Sequence, residues 1–296
     1  MNFQPIPCHE SLRPFIRNYW MLTAYCTATD STQQMFSNGA ASLQFYLSQP
    51  VSLDWSEQQY HTALFHQNME KVGIISDEGD FNIFGVEFVP YCSRVFFRTE
   101  MNGIYASPED LHDDELIALS KAIHAAGNTE ERVKMLDEFF LKRLAEFPEG
   151  DINMERLNDV FEDIVPTDKS TVHSPKFKDD FSPADLASTA CLSQKQFTRV
   201  FHKYVGMNPK SYLRLLRFHK ALQMLQAHLS EPSGDNRQTI AWQCGYYDLA
   251  HMISDFRDIC GYSPTELIQS GTKLTEAFGQ QFSGLMKKKI KIENLI

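Results

Sequence analysis

Between Gln194 and His202 the sequence reads Gln-Lys-Gln-Phe-Thr-Arg-Val-Phe-His, and its residue types have the spacing needed to read the edges of DNA bases. Phe197, Val200, Phe201 and Tyr204 recur at i, i+3, i+4 and i+7, so on a helix they turn inward together. Lys195, Thr198, Arg199 and His202 are left on the opposite face, with Gln194 at its start. Arginine and lysine bond guanine edges, glutamine bonds adenine, and threonine contacts either kind of edge. A helix in the major groove reads bases mainly from its N-terminal residues. A solvated face that happens to be basic would give the same local pattern, so the setting has to separate the two.

Charge is the first part of that setting. The chain of 296 residues carries 28 Lys/Arg against 38 Asp/Glu, a net of −10 that at first argues against nucleic acid. Resolved by region, residues 1–180 hold 14 basic and 29 acidic side chains, and residues 181–296 hold 14 and 9. From Leu186 to Ser230 there are seven Lys/Arg and no acid. Affinity for phosphate follows local rather than total charge. An acidic body bearing one basic stretch is the pattern of a DNA-binding domain fused to a domain of another kind. In this frame Ser193, Lys203, Lys210, Arg214 and Arg257 are the candidate phosphate contacts.

The elements that must hold this face are repeated. At an offset of 55, Phe197 matches Met252, Phe201 matches Phe256, Gly206 matches Gly261 and Pro209 matches Pro264. Upstream the offset is 54: Leu186 matches Ile240, Ala187 matches Ala241 and Cys191 matches Gly245, so one residue slips in the turn. Two copies of one pattern mean two copies of one supersecondary unit. Each copy makes sense as helix-turn-helix: a small residue for close helix approach, a tight turn, a polar cap (Ser193 or Asp248), then a second helix. The second copy is acidic, with Asp248, Asp255 and Asp258 against Arg257, so the first is expected to dominate affinity. Pro209 to about Gln226 is one apolar-periodic helix, about 27–30 Å long at ~1.5 Å per residue. That approaches the ~34 Å between successive major-groove faces.

At these residues the chain resembles the AraC/XylS family of transcriptional regulators. The resemblance rests on Leu-Ser-Gln-Lys-Gln-Phe-Thr-Arg-Val-Phe (192–201), Pro-Lys-Ser-Tyr-Leu-Arg-Leu-Leu-Arg-Phe (209–218) and Ile-Ala-Trp-Gln-Cys-Gly-Tyr-Tyr-Asp (240–248), running on to Gly261-Tyr-Ser-Pro264. It implies base contacts from Gln194, Lys195, Thr198 and Arg199, and by position from Asp248, Leu249, Ala250, His251 and Ser254. Cys191 departs from the pattern, standing where many members have glycine.

The front of the chain reads mostly as short strands, among them Ser42–Leu47, Lys71–Ile75 and Phe81–Val89, with a short helix expected around Leu12–Trp20. Helices are expected from Ser107 to about Ala126, from Asn128 to about Leu144, and to Val165, with Pro166–Asp180 a loop. The front also resembles the sensor region of some family members, through Pro14-Phe-Ile, Tyr19-Trp20, Asn38-Gly39 and Gly85-Val-Glu-Phe-Val-Pro90. That implies a small cupin-like barrel, followed by helices that pair two subunits. Tyr19, Trp20, Phe36, Phe45, Tyr46, Phe84 and Phe88 would line a ligand pocket, the bland alternative being that each is plain core.

The expected fold class is α+β: a cupin-like β domain over 1–105, a helical dimerisation segment over 106–149, a DNA-binding domain over 150–270 with units at 183–206 and 238–261, and a tail over 271–296. The expected function is a cytoplasmic, dimeric regulator that binds double-stranded DNA and a small-molecule effector, and RNA polymerase if it activates. One rival replaces the effector with a protein partner. Another is a cupin-type metal enzyme on a DNA anchor. His61 and His66, five residues apart, fall on opposite faces of a strand, which argues against a metal, and no cofactor is expected. Six scattered cysteines form no Cys-x-x-Cys pair, Cys92 beside Arg94 reads as a buried structural thiol, and no apolar run is long enough for a membrane span.

Overall fold

The structure is a computed structural model that describes residues 2–26, 32–35, 39–53, 56–66, 72–97, 105–148, 150–164, 181–228 and 237–269. Phe36, the 166–180 loop, the 271–296 tail and the side chain of His66 lie outside the described residues. The fold is α+β. Among the described residues ten strands precede nearly all the helices: β1 Asn2–Ile6, β2 Ile16–Cys26, β3 Thr32–Met35, β4 Ala41–Tyr46, β5 Val51–Leu53, β6 Ser56–Tyr60, β7 Thr62–His66, β8 Val72–Ile75, β9 Gly79–Phe88 and β10 Tyr105–Ala106. They form two antiparallel sheets, ordered β1-β2-β9-β4-β7-β10 and β3-β8-β5-β6.

The expected helix over Leu12–Trp20 is instead a single 3-10 turn, Glu10–Leu12, followed by the eleven-residue strand β2. The strand is covered on both faces, so Tyr19 and Trp20 are both buried and no period-2 pattern survives in the sequence. Alternate residues enter different cores. Tyr19, Phe45, Phe84 and Phe88 join the large cluster on the helix-covered face. Trp20, Leu22, Cys26, Tyr46 and Ile83 form a second cluster on the other face.

The helices are α1 Ser93–Phe96, α2 Asp114–Ala125, α3 Thr129–Ala145, α4 Ile152–Ile164, α5 Pro183–Thr189, α6 Gln194–Val205, α7 Pro209–His228, α8 Arg237–Gln243, α9 Leu249–Cys260 and α10 Pro264–Gln269. The expected start at Ser107 is seven residues early. Ser107 and Asp110 bond each other reciprocally in a closed turn, the chain passes through φ 51° at His112, and Asp113 caps α2 by accepting from Leu116 N–H at 2.9 Å. Asn128 caps α3 as its sequence indicates. The larger apolar cluster runs without a break from the front sheet through α2, α3 and α4 into both repeated units.

Candidate nucleic-acid interface

The first unit is built by two reciprocal caps. Ser182 and Asp185 close the start of α5, and Ser193 and Gln196 close the start of α6. The Ser193 hydroxyl accepts from Gln196 N–H and donates to Gln196 Oε1 at 2.7 Å, so the proposed phosphate ligand is committed to the cap. Between the helices Cys191 takes φ 52°, and Gly206 ends α6 at φ 78°. Phe197 and Phe201 are fully buried and Tyr204 nearly so, with Val200 half-buried. Gln194, Lys195, Thr198, Arg199 and His202 are exposed and line one shallow, open concavity. Sequence periodicity therefore identified both faces of this helix.

The second unit repeats the geometry. Gly245 takes φ 77° and Gly261 φ 83°, matching Cys191 and Gly206. Leu192 N–H bonds Ala187 O at 2.9 Å, and Tyr246 N–H bonds Ala241 O at 2.9 Å, which aligns the two turns residue by residue. Ser193 follows Leu192 directly, whereas Tyr247 separates Tyr246 from Asp248. The one-residue slip is thus Tyr247. Asp248 caps α9, its carboxylate accepting from His251 N–H at 2.7 Å.

Several expectations for this unit do not hold. Asp255 points inward, and its carboxylate accepts from Arg214 Nε at 2.6 Å, while Asp258 takes another nitrogen of the same guanidinium. Neither acid is an unopposed charge, and Arg214 is occupied by them. Leu249 packs against the apolar core, while Ala250, His251, Ser254 and Arg257 are exposed. The seven basic residues of the acid-free stretch divide accordingly. Lys195, Arg199, Lys203 and Lys210 are exposed. Arg214, Arg217 and Lys220 turn to the second unit, where Arg217 donates to Gly245 O at 3.3 Å and lies 5.2 Å over the Tyr246 ring. Lys220 donates to Gln243 O at 2.6 Å, a cation against the carbonyl end of α8.

Sequence reasoning missed how closely the first unit is tied to the front of the chain. Phe161 of α4 stacks on Phe201 of α6 with rings 5.9 Å apart and 5° from parallel, and its ring also lies 5.0 Å from that of Tyr91 and 5.3 Å from that of Tyr212. Tyr204 donates to Asp151 at 2.6 Å under the guanidinium of Arg94, 5.2 Å from its ring centroid. Gly39, at φ 76°, lies so close to Tyr212 that a Cβ there would sit 2.6 Å from the ring. Aromatic spacing in a sequence carries no sign of such long-range pairs.

The predicted pocket residues are not brought together. Tyr19, Phe45, Phe84 and Phe88 face the helices, with Tyr19 donating to Asp137 at 2.9 Å, whereas Trp20 and Tyr46 face the opposite side. On that opposite side Tyr46 donates to Gln44 at 2.8 Å, and the buried Trp20 Nε1 has no acceptor among the described residues. The Trp20 ring covers Gly85, where a Cβ would lie 2.1 Å away. Glu87, buried beside Arg17 at 3.1 Å, has its pKa raised by burial, with the guanidinium opposing. Cys92 is buried, and burial pushes its thiol up, away from the reactive thiolate. Among the described residues no group of three His, Cys, Asp or Glu is placed to hold a metal, and no helix is long and apolar enough to cross a membrane.

Residues 186–270 match a family model described as a helix-turn-helix domain, and residues 4–107 match a domain of unknown function (DUF6597). Over 84 residues the chain is 34% identical to the HTH-type transcriptional activator RhaS of Escherichia fergusonii, covering 28% of each chain. It is 29% identical over 82 residues to the HTH-type transcriptional regulator ArgR of Pseudomonas aeruginosa, covering 28% of this chain and 23% of that one. The chain thus spans under a third of the length of these curated relatives. ToxT from Vibrio cholerae is a similar solved structure, at TM-score 0.43 and 12% identity over 92% of this chain and 100% of that one.

Proposed function

We propose that this chain, whose residues 186–270 form a helix-turn-helix domain of the AraC type, is a sequence-specific DNA-binding regulator of transcription. The observation that carries the reading is the face of α6: Gln194, Lys195, Thr198 and Arg199 stand exposed together, while Phe197 and Phe201 anchor the helix from behind. These four are the base readers, with Lys203 and Lys210 on phosphate. Ala250, His251 and Ser254 form the smaller reading face of the second unit. The helix α7, of 20 residues and so about 30 Å long, joins the two units. That length supports two reading heads about one duplex turn apart. The regulators RhaS and ArgR, similar over this domain, support the same reading.

The front domain, a cupin-like barrel in this reading, senses a small molecule and helps pair two copies of the chain. The buried Trp20 Nε1 supports a ligand that brings an acceptor. The Tyr91–Phe161–Phe201 contact supports a path from that domain to the first reading helix. As an activator the dimer would engage RNA polymerase, and its expected compartment is the cytoplasm, where the DNA is.

The test is selection of bound sites from random duplexes by the full chain, with and without a metabolite extract. Two short conserved blocks about one turn apart are expected, with a shift on adding extract. Enrichment of a single block would reduce the second unit to a structural support, and no enrichment would end the regulator assignment.

A further inference from the structure

The second unit faces DNA with little positive charge of its own. Arg214, Arg217 and Lys220 of α7 are turned to its carboxylates and carbonyls, and α9 carries Arg257 as its one arginine or lysine. Its distinguishing feature is an aromatic one. Tyr247 is the residue this unit has and the first lacks, and it stands 87% exposed immediately before the cap of the reading helix. Its neighbour Tyr246 is buried under Arg217, so the exposure is a property of the inserted position. Across the same turn Trp242, whose carbonyl accepts from Gly245 N–H at 3.0 Å, is 61% exposed where the first unit has Ser188. Two large aromatic side chains thus stand in solvent at the turn that leads into the reading helix.

Resting on the DNA-binding reading, we propose that Tyr247 is a DNA-contacting residue that anchors the second unit to the duplex without a charge. In a helix-turn-helix unit the second helix enters the major groove by its N-terminal end while the first crosses the backbone, so the turn between them, which holds Tyr247, runs close to the sugar-phosphate wall. A tyrosine there offers a hydroxyl donor to a phosphate oxygen and a ring face to the deoxyribose. The first unit holds its phosphates with lysine, and the second holds its own with a neutral donor. The two units would then respond differently to salt, since only the charged contacts release counterions.

The experiment measures affinity of the full chain for a selected two-block duplex across a range of salt, for the wild type, Tyr247→Phe, Tyr247→Ala and Lys203→Ala. Tyr247→Phe is expected to weaken binding about tenfold or more, the size of one hydrogen bond to an anionic acceptor, with the slope of log K against log salt unchanged. Tyr247→Ala should lose more, again at constant slope, whereas Lys203→Ala should lower the slope by about one contact. Replacing single phosphates by methylphosphonate at the second block should reveal one position whose effect disappears in Tyr247→Phe. Because Tyr247 is exposed, thermal melting should not move, which separates lost contact from lost fold. Unchanged affinity of Tyr247→Ala for a duplex that the wild type binds would overturn this proposal alone, and lost transcription with intact affinity would make the position a protein-docking one. A wild type that binds no duplex would overturn this proposal and the DNA-binding reading together.

Discussion

Arg214 of α7 donates from Nε to the carboxylate of Asp255 on α9 at 2.6 Å, and Asp255 is almost completely buried. The second Asp255 oxygen accepts no bond among the described residues, so the arginine carries most of the compensation for that charge. Removing one partner of such a pair is worse than never having built it. Arg214→Ala should therefore cost about 2–4 kcal/mol, toward the lower end of what a fully enclosed pair would lose because the guanidinium is partly solvated. Chemical denaturation of the full chain measures it. A cost near zero would mean the pair is held by solvent rather than by packing.

Cys191 occupies a backbone conformation, φ 52°, that its counterpart Gly245 adopts without strain at φ 77°. A left-handed residue with a Cβ costs about 1–2 kcal/mol, and glycine returns about 0.5–1 kcal/mol of that as chain entropy. Cys191→Gly should thus stabilise the chain by up to about 1 kcal/mol, and Gly245→Ala should destabilise it by about as much. DNA affinity should be the same in Cys191→Gly, because the change lies in the turn behind the reading face. A lower melting temperature in that variant would show that the thiol makes a contact worth more than the strain.

What the sequence disclosed follows from where its information is local. The inward face of α6, its Ser193 cap and the repeat are all set by residues within one or two helical turns, and they read correctly. The strand β2 did not, because burial on both faces erases the alternation that marks a strand. The Ser107–Asp110 turn imitates a helix start for the same local reason, since both are Ser/Asp reciprocal bonds. The roles of Arg214, Asp255 and Leu249 depend on contacts between α7 and α9, 41 residues apart for the ion pair, and a charge count cannot tell a phosphate ligand from a buried partner. The pocket residues failed for a geometric reason. Tyr19 and Trp20 are adjacent in a strand and must face opposite ways.

Arg199 and Lys203 are both exposed on α6 but should fail differently when truncated. Arg199→Ala should cost about 1–3 kcal/mol against its preferred base and relax selectivity at that one position. Lys203→Ala should weaken binding to all duplexes alike. Competitive binding to a library of single-base variants resolves the two. Identical base preferences in wild type and Arg199→Ala would remove that residue from the reading set.

Phe161 is only half-buried yet touches three rings, Tyr91, Phe201 and Tyr212. Phe161→Ala should cost about 2–4 kcal/mol, less than a fully enclosed phenylalanine at the upper end of its range. Its informative effect is on coupling. Any shift of DNA affinity produced by a front-domain ligand should shrink toward none, while the affinity of the unliganded chain for its site changes less. Full retention of the ligand response would mean the signal travels by another contact, of which Gly39 against Tyr212 is the next in line.

The same junction should open with alkali. Tyr204 has its phenol pushed up to about 12, by burial first and then by the bond it donates to Asp151. Tyr212 is also pushed up to about 12 by burial, against the opposing charge of Arg17. Tyr19, Tyr91 and Tyr246 are raised as well, burial leading in each. An unfolded tyrosine loses its proton near 10, so between there and 12 the folded chain binds more protons than the unfolded one. The stabilisation is therefore whole below pH ~10 and is lost as pH climbs toward the folded values. Each such tyrosine adds up to about 1.4 kcal/mol of lost stability per pH unit across that window. Denaturation at stepped pH from 8 to 11.5 should give a falling curve, and Tyr204→Phe should flatten it by up to one proton while costing about 1 kcal/mol at pH 8 for the lost bond to Asp151. Parallel curves for the two proteins would mean that Asp151 and Arg94 leave the Tyr204 phenol no harder to ionise than a free one.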